Sequence, residues 1–271
     1  MKYETIIYEK AEGIARITLN RPEKLNALAY PMEPEIGMAV DEAARDNEVR
    51  VLIITGAGRG FCAGGDFRYS QVRTGEVRVE EAEIGGESVP GRLIQRLFHG
   101  ILMLQRMDKP TIAMVNGPAV GGGFDLAMAC DLRIGSHNAR FMMAFTRIGL
   151  VPGTGGCWFL PRIVGLPKAL ELLYTGDFVE AEEAYRIGLL NRLVPAEKLE
   201  EEAMALARKL ARSPAMSLRL DKFMVYKGLS TDLETALGLG VACLGMCYGS
   251  EDHREGIKAF AEKREPVFRG K

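Results

Sequence analysis

The sequence predicts an α/β core over residues 1–200 and a helical segment over residues 201–271. Three observations carry that expectation. Strand, turn and helix patterns alternate through the first half of the chain, as in layered α/β folds. Val51-Leu52-Ile53-Ile54 and the stretch from Pro110 to Val115 are nearly continuous apolar runs, expected of strands covered on both faces. From Pro167 onward the apolar spacing turns almost wholly helical.

The elements follow in order. Residues 5–8 and 14–19 read as paired strands around Gly13, interrupted by Asn20 to Lys24 with its proline. Residues 28–47 read as a helix begun near Pro31, and residues 49–55 as a buried strand. Gly56 to Gly65 is glycine-rich. Residues 71–90 are charged and glycine-punctuated, without apolar periodicity, and read as a surface loop. Helical spacing returns over 93–107, and a strand over 110–115 runs into Asn116-Gly117-Pro118 and the triple glycine 121–123. A short helix over 124–130 and a strand over 132–134 close the alternation. Helices are then expected over 168–174, 179–187, 199–212, 215–229 and 232–248. No internal repeat or low-complexity linker divides the chain.

Composition narrows the function classes. Of 271 residues, 47% are apolar and 26% charged, enough for a large core without staples. A net charge of −1 supplies no overall field to recruit nucleic acid or an anionic membrane. An anionic ligand must be held by local cations and backbone N–H groups. Met1-Lys2-Tyr3-Glu4-Thr5 is not a secretory signal, and no stretch reaches the roughly 18 apolar residues of a spanning helix. Residues 233–248, with Glu234 and several glycines, fit a buried or interface helix. The 5 cysteines are odd in number and sit mostly in apolar surroundings, pointing to a reducing, cytoplasmic setting. Cys243 and Cys247 share a helix face, but the 3 histidines make no ligand spacing with them, so no metal is expected.

Two glycine-rich segments carry the chemistry. In Gly58-Arg59-Gly60-Phe61-Cys62-Ala63-Gly64-Gly65-Asp66, Gly58, Gly60 and Ala63 fit a loose G-x-G-x-x-A dinucleotide pattern. No helical period follows it, and a tight turn permitting positive φ explains the glycines as well. In the second, Asn116-Gly117-Pro118-Ala119-Val120-Gly121-Gly122-Gly123, a strand ends, glycines follow and a helix begins. The N–H groups of a helix N-terminus are unpaired and favour negative charge. Such donors, aimed at a carbonyl oxygen that becomes an oxyanion, stabilise the transition state by about 3 kcal/mol each. Two glycine loops, each after a buried strand, could supply one N–H apiece.

Phe61 to Asp66 and Asn116 to Gly123 resemble the two signature loops of the crotonase (enoyl-CoA hydratase/isomerase) superfamily. Leu19-Asn20-Arg21-Pro22-Glu23-Lys24-Leu25-Asn26-Ala27-Leu28 is similar to its N-terminal CoA-contacting loop. Gly149 to Gly156, residues 172–189, Glu251 to Gly256 and Phe260 to Arg264 resemble its central region and tail, so the likeness spans nearly the whole chain. The resemblance implies a ββα spiral core with a C-terminal trimerisation segment, an acyl-CoA thioester substrate and stabilisation of its enolate. It implies an oxyanion hole from the N–H groups of Gly65 and Gly122. Lys24, Leu25, Ala27 and Ala63 would cradle the adenine end of CoA, with Arg68 and Lys24 toward its phosphates; solvated surface charge is the other reading of those cations. Phe260 and Lys263 would reach the CoA of a neighbouring copy in a trimer, or a hexamer of two trimers. No cofactor beyond the CoA of the substrate is implied.

The acid/base positions depart from the hydratase pattern, which uses two glutamates. Asp125 stands at the first position and Phe145 at the second, while the extra aspartate of some isomerases and dehalogenases is Gly153. Asp125 is therefore the candidate catalytic acid/base, with helix capping as its alternative role. Asp66 and Asp131 read as turn-ordering residues; the resemblance puts His99 on the helix facing the acyl site, which leaves it or residues 71–90 open as a second acid/base, with a core or surface histidine the stronger reading. Phe145, Met142, Met143 and Val151 would line an apolar acyl pocket. One carboxylate and an oxyanion hole suffice for a 1,3-proton shift. The leading expectation is therefore double-bond isomerisation of an unsaturated, linear or cyclic, acyl-CoA. Hydration of a conjugated or cyclic enoyl-CoA is the alternative, and a non-catalytic CoA-thioester binder or a dinucleotide oxidoreductase are the remaining ones.

Overall fold

The computed structural model describes residues 2–66, 71 and 99–271. β1 (Ile6–Ala11) and β2 (Ile14–Leu19) form an antiparallel hairpin. Glu12 and Gly13 between them both have positive φ, the backbone of a two-residue primed turn. α1 (Met32–Arg45) crosses to β3 (Val51–Gly56), and residues 99–106 form a helix leading into β4 (Thr111–Val115). β5 (Pro118–Val120), α2 (Gly122–Ala129), β6 (Leu132–Ser136) and β7 (Arg140–Met142) complete the first half of the core. α3 (Gly156–Val164), α4 (Leu166–Thr175), β8 (Phe178–Glu180), α5 (Ala181–Arg186) and β9 (Arg192–Val194) follow. The chain ends in α6 (Leu199–Ala211), α7 (Ala215–Gly228), α8 (Leu233–Tyr248) and α9 (Glu251–Glu262).

The main sheet has the order β1-β2-β3-β4-β6-β9, parallel from β2 onward. Period-2 alternation explains the continuous apolar run in β3. Leu52 and Ile54 face one core with α1 and α2, while Val51 and Ile53 face a second with α6. α6 thus covers the sheet's other face through Leu199, Ala203 and Ala207, and the boundary expected at residue 200 falls inside it. A small second sheet, β5-β7-β8, stands beside the main one.

Several expectations are corrected. Residues 179–187 are not one helix: β8 pairs with β7 before α5 begins. The segment after Pro167 also contributes β9 to the main sheet. β5, β7, β8 and β9 are three residues each, too short to show an apolar period. The short helix expected over 124–130 starts two residues earlier, at Gly122, because the glycines themselves adopt helical backbone.

α2 organises the centre. All of its residues are buried, so its polar ends need partners inside the fold. At its C-terminal end the buried Arg133 guanidinium donates to the carbonyls of Cys130 (2.7 Å), Met128 (3.5 Å) and Leu189 (2.8 Å). That places positive charge at the negative end of the helix dipole. α7 is tied down by Lys222, whose Nζ donates to Asp131 Oδ2 (2.9 Å) and the Leu104 carbonyl (2.9 Å), and by Tyr226, whose hydroxyl donates to Asp131 Oδ1 (2.9 Å). Asp131 also accepts from the Thr111 amide, so it fastens a helix as well as ordering a turn.

Candidate active site

Two asparagines shape the first glycine loop. Asn26 is fully buried, and its Nδ2 donates to the carbonyls of Ala57 (2.9 Å) and Gly60 (2.8 Å). Its Oδ1 accepts from the Arg21 amide at 2.9 Å. Asn116 Nδ2 donates to the carbonyls of Gly56 and Gly58, both at 2.9 Å. Leu25 and Asn26 take left-handed backbone, which turns the 21–27 segment against this loop. Arg21 then bonds the Ala27 carbonyl and pairs with Asp66 at 3.1 Å.

Residues 62–66 run as a short extended segment between two neighbours. On one edge the Cys62 amide donates to Pro118 O (3.0 Å), and the Val120 amide to Cys62 O (2.9 Å). On the other, Ala63 N bonds Leu25 O, Leu28 N bonds Gly64 O, and Asp66 N bonds Leu28 O. That parallel bridge uses the groups of Gly64 and Asp66, so Gly65 directs its own N–H away from Leu28. Among the described residues, neither Gly65 nor Gly122 donates its N–H to a backbone carbonyl. Gly64, at φ +86°, holds the loops in contact: a Cβ there would stand 2.6 Å from Val120 O and 3.5 Å from Gly122 N. Gly121 precedes α2 at φ 51° and ψ −119°, a backbone open only to glycine. Ala63, the last position of the loose dinucleotide pattern, lies in this extended segment.

Asp125 lies in the first turn of α2 with no exposed surface. Its Oδ2 accepts a hydrogen bond from the Thr154 hydroxyl. Its Oδ1 has no hydrogen-bond partner among the described residues. Gly156 stands against that oxygen, where a Cβ would be 2.6 Å from it, 2.9 Å from Pro152 Cβ and 3.0 Å from the Met143 methyl. Burial raises the carboxyl pKa to about 7; the Thr154 hydroxyl and the nearby amides of Gly156 and Thr154 pull against that rise. Desolvation therefore outweighs the dipoles, and the group is poised to take and return a proton near neutrality.

The remaining expected residues fall as follows. The Phe145 ring lies 3.6 Å from where a Gly121 Cβ would be, over the start of α2. Met142 is buried outside both cores and its carbonyl accepts from Gly121, while Met143 is the methionine beside Gly156. Val151 is 78% exposed. Lys24 is exposed, Ala27 buried, and Leu25 and Ala63 half-buried and hydrogen-bonded to each other. Arg68 and residues 72–90 lie outside the described residues. Phe260 (87% exposed) and Lys263 sit at the C-terminal end of α9. His99 packs its ring edge toward Gly37 of α1. Sequence reasoning missed Asn26, Asn116 and Thr154 as organisers. The available signal was that an asparagine beside glycines tends to bond nearby backbone.

Two backbone amides without carbonyl partners among the described residues, on loops held in contact, stand in the same region of the chain as one buried carboxyl with a pKa raised to about 7. A family model described as enoyl-CoA hydratase/isomerase matches residues 9–271. A crotonyl-CoA hydratase of Syntrophomonas wolfei is 40% identical over 269 residues, covering 99% of each chain. A 1,2-epoxyphenylacetyl-CoA isomerase of Escherichia coli is 36% identical, also covering 99% of each. Among solved structures, an enoyl-CoA hydratase from Bacillus anthracis matches with a TM-score of 0.89 at 32% identity, covering 99% of this chain and 100% of that one.

Proposed function

The chain belongs to the enoyl-CoA hydratase/isomerase family of acyl-CoA enzymes and carries its crotonase fold, and we propose that it shifts the double bond of an unsaturated acyl-CoA. The observation that supports this reading is Asp125: a buried carboxyl whose pKa is raised to about 7, with one oxygen lacking a donor. Phe145, at the second acid position, has no proton to transfer. In the proposed step Asp125 takes a proton from the allylic carbon next to the thioester. The C–H electron pair moves into a dienolate, whose oxygen rests on the N–H groups of Gly65 and Gly122. The proton then returns from Asp125 to the far end of the dienolate. No atom is gained or lost, and no cofactor beyond substrate CoA is called for.

The CoA moiety is assigned to the surface of Lys24, Leu25, Ala27 and Ala63, with Arg68 toward its phosphates. Phe260 and Lys263 are assigned to a neighbour's CoA in a trimer or hexamer. A cytoplasmic setting belongs to the same proposal; all five cysteines are free, and no single described helix is long and apolar enough to cross a membrane.

Hydration is the second reading, favoured by the name of the 40%-identical relative. Incubation with linear and cyclic 3-enoyl- and 2-enoyl-CoAs in heavy water, read by mass spectrometry, separates the two. Isomerisation gives deuterium exchange with no added water, and hydration gives the mass of water. Asp125→Asn should lower turnover by about two orders of magnitude or more while CoA-ester affinity holds. Unchanged turnover in that variant would remove Asp125 as the acid/base, and no turnover by the wild-type chain alongside tight binding would sink the catalytic reading in favour of a binder.

A further inference from the structure

We propose that Thr154 is a positioning residue for the Asp125 base, fixing one carboxylate oxygen so that the other, Oδ1, makes and breaks the bond to the substrate proton. The inference rests on the reading of Asp125 as the acid/base given above.

Thr154 is 7% exposed, and its single hydroxyl proton is committed to Asp125 Oδ2. No other side chain donates to that carboxylate among the described residues. The two oxygens are therefore unequal. Oδ2 shares its charge with a hydroxyl donor, while no described side chain engages Oδ1 and the amides of Gly156 and Thr154 only approach the carboxylate, which makes Oδ1 the more basic oxygen. Gly156 gives the room that this oxygen occupies, since a Cβ there would meet Oδ1 at 2.6 Å and would also crowd Pro152 and the Met143 methyl. Gly155, at φ +108°, turns the chain so that Thr154 and Gly156 reach the same carboxylate from one short loop. Without the hydroxyl, the carboxyl is free to rotate and either oxygen can face the substrate. The base then loses its aim, and its anion loses a hydrogen bond. Throughout turnover Thr154 keeps its own proton; the proton that moves is the one held by Oδ1.

The test compares Thr154→Val and Thr154→Ala with Thr154→Ser through the pH dependence of kcat/KM and kcat. Losing a charge-assisted hydrogen bond should move the acidic limb upward by about one pH unit. Plateau kcat should fall about tenfold through lost orientation, with KM within about a factor of two. Serine should restore both. If the valine variant does not fold, the alanine and serine variants decide, and the ¹³C titration of the Asp125 carboxyl in the free protein gives the same readout without turnover. An unmoved limb and an unmoved titration overturn the inference, as does a serine variant no better than alanine. A fully active Asp125→Asn variant overturns the underlying reading instead, so the two failures are distinguishable.

Discussion

Between about pH 4 and 7 the Asp125 carboxyl binds a proton in the folded chain that the unfolded chain has already released. The folded state holds more protons in that window, so the stability associated with this group is present at low pH and is lost as the pH rises toward 7. The interval from the ordinary carboxylate value to about 7 corresponds to at most about 4 kcal/mol of native-state cost. Asp125→Asn should accordingly be more stable than the parent at pH 8, and the gap should shrink as the pH falls toward 4. Urea unfolding at a series of pH values reads it; a gap that stays constant with pH counts against a buried, near-neutral carboxyl. The position of Asp125 was legible in the sequence, because it follows a triple glycine at a strand-to-helix junction. Its environment was not. Thr154 is 29 residues away, and no local pattern announces that its hydroxyl meets the carboxylate.

At the scale of elements, α2 shows how a helix with every residue buried is accommodated at its two ends. Its N-terminus opens on the glycine loop, while Arg133 occupies its C-terminus. The sequence placed Arg133 inside a predicted strand, and nothing nearby explained a charge there. Its partners, the carbonyls of residues 128, 130 and 189, come together only in the folded chain. Replacing Arg133 by leucine should leave buried carbonyls without donors and cost on the order of 3 kcal/mol or more. Denaturant unfolding of Arg133→Leu should show that loss, with turnover per folded molecule also reduced because α2 carries Asp125. A change below about 0.5 kcal/mol would mean that these carbonyls find other donors. The same scale explains which elements were misread. Long strands and helices declare themselves by apolar period, as β3 and α6 do. Three-residue strands such as β8 are fixed by pairing with a distant neighbour, here β7, so an adjoining helical pattern swallowed β8 in the sequence reading.

Over the whole molecule, the C-terminal helices stand apart in what they leave uncovered. Leu233 (73%), Leu237 (61%), Val241 (73%) and Leu244 (53%) recur along one stripe of α8, whose only buried residue is Cys243. Ile257 and Phe260 extend apolar exposure onto α9. A continuous apolar stripe of this kind is costly in water and marks a surface made to be covered. The sequence had flagged α8 as a buried or interface helix; within one chain it is not buried. Copies of the chain, packed as a trimer or hexamer, are the proposed cover, and the core does not rely on this stripe for its own packing. Leu237→Glu combined with Val241→Glu should therefore reduce the oligomer to smaller species in sedimentation while the far-UV CD spectrum stays native. If Phe260 and Lys263 serve a neighbour's CoA, the same variant should also weaken CoA-ester binding, because each site then lacks the residues that another copy supplies. A double variant that sediments like the parent removes the stripe from the interface, and one that dissociates yet binds CoA esters unchanged confines each CoA site to a single chain.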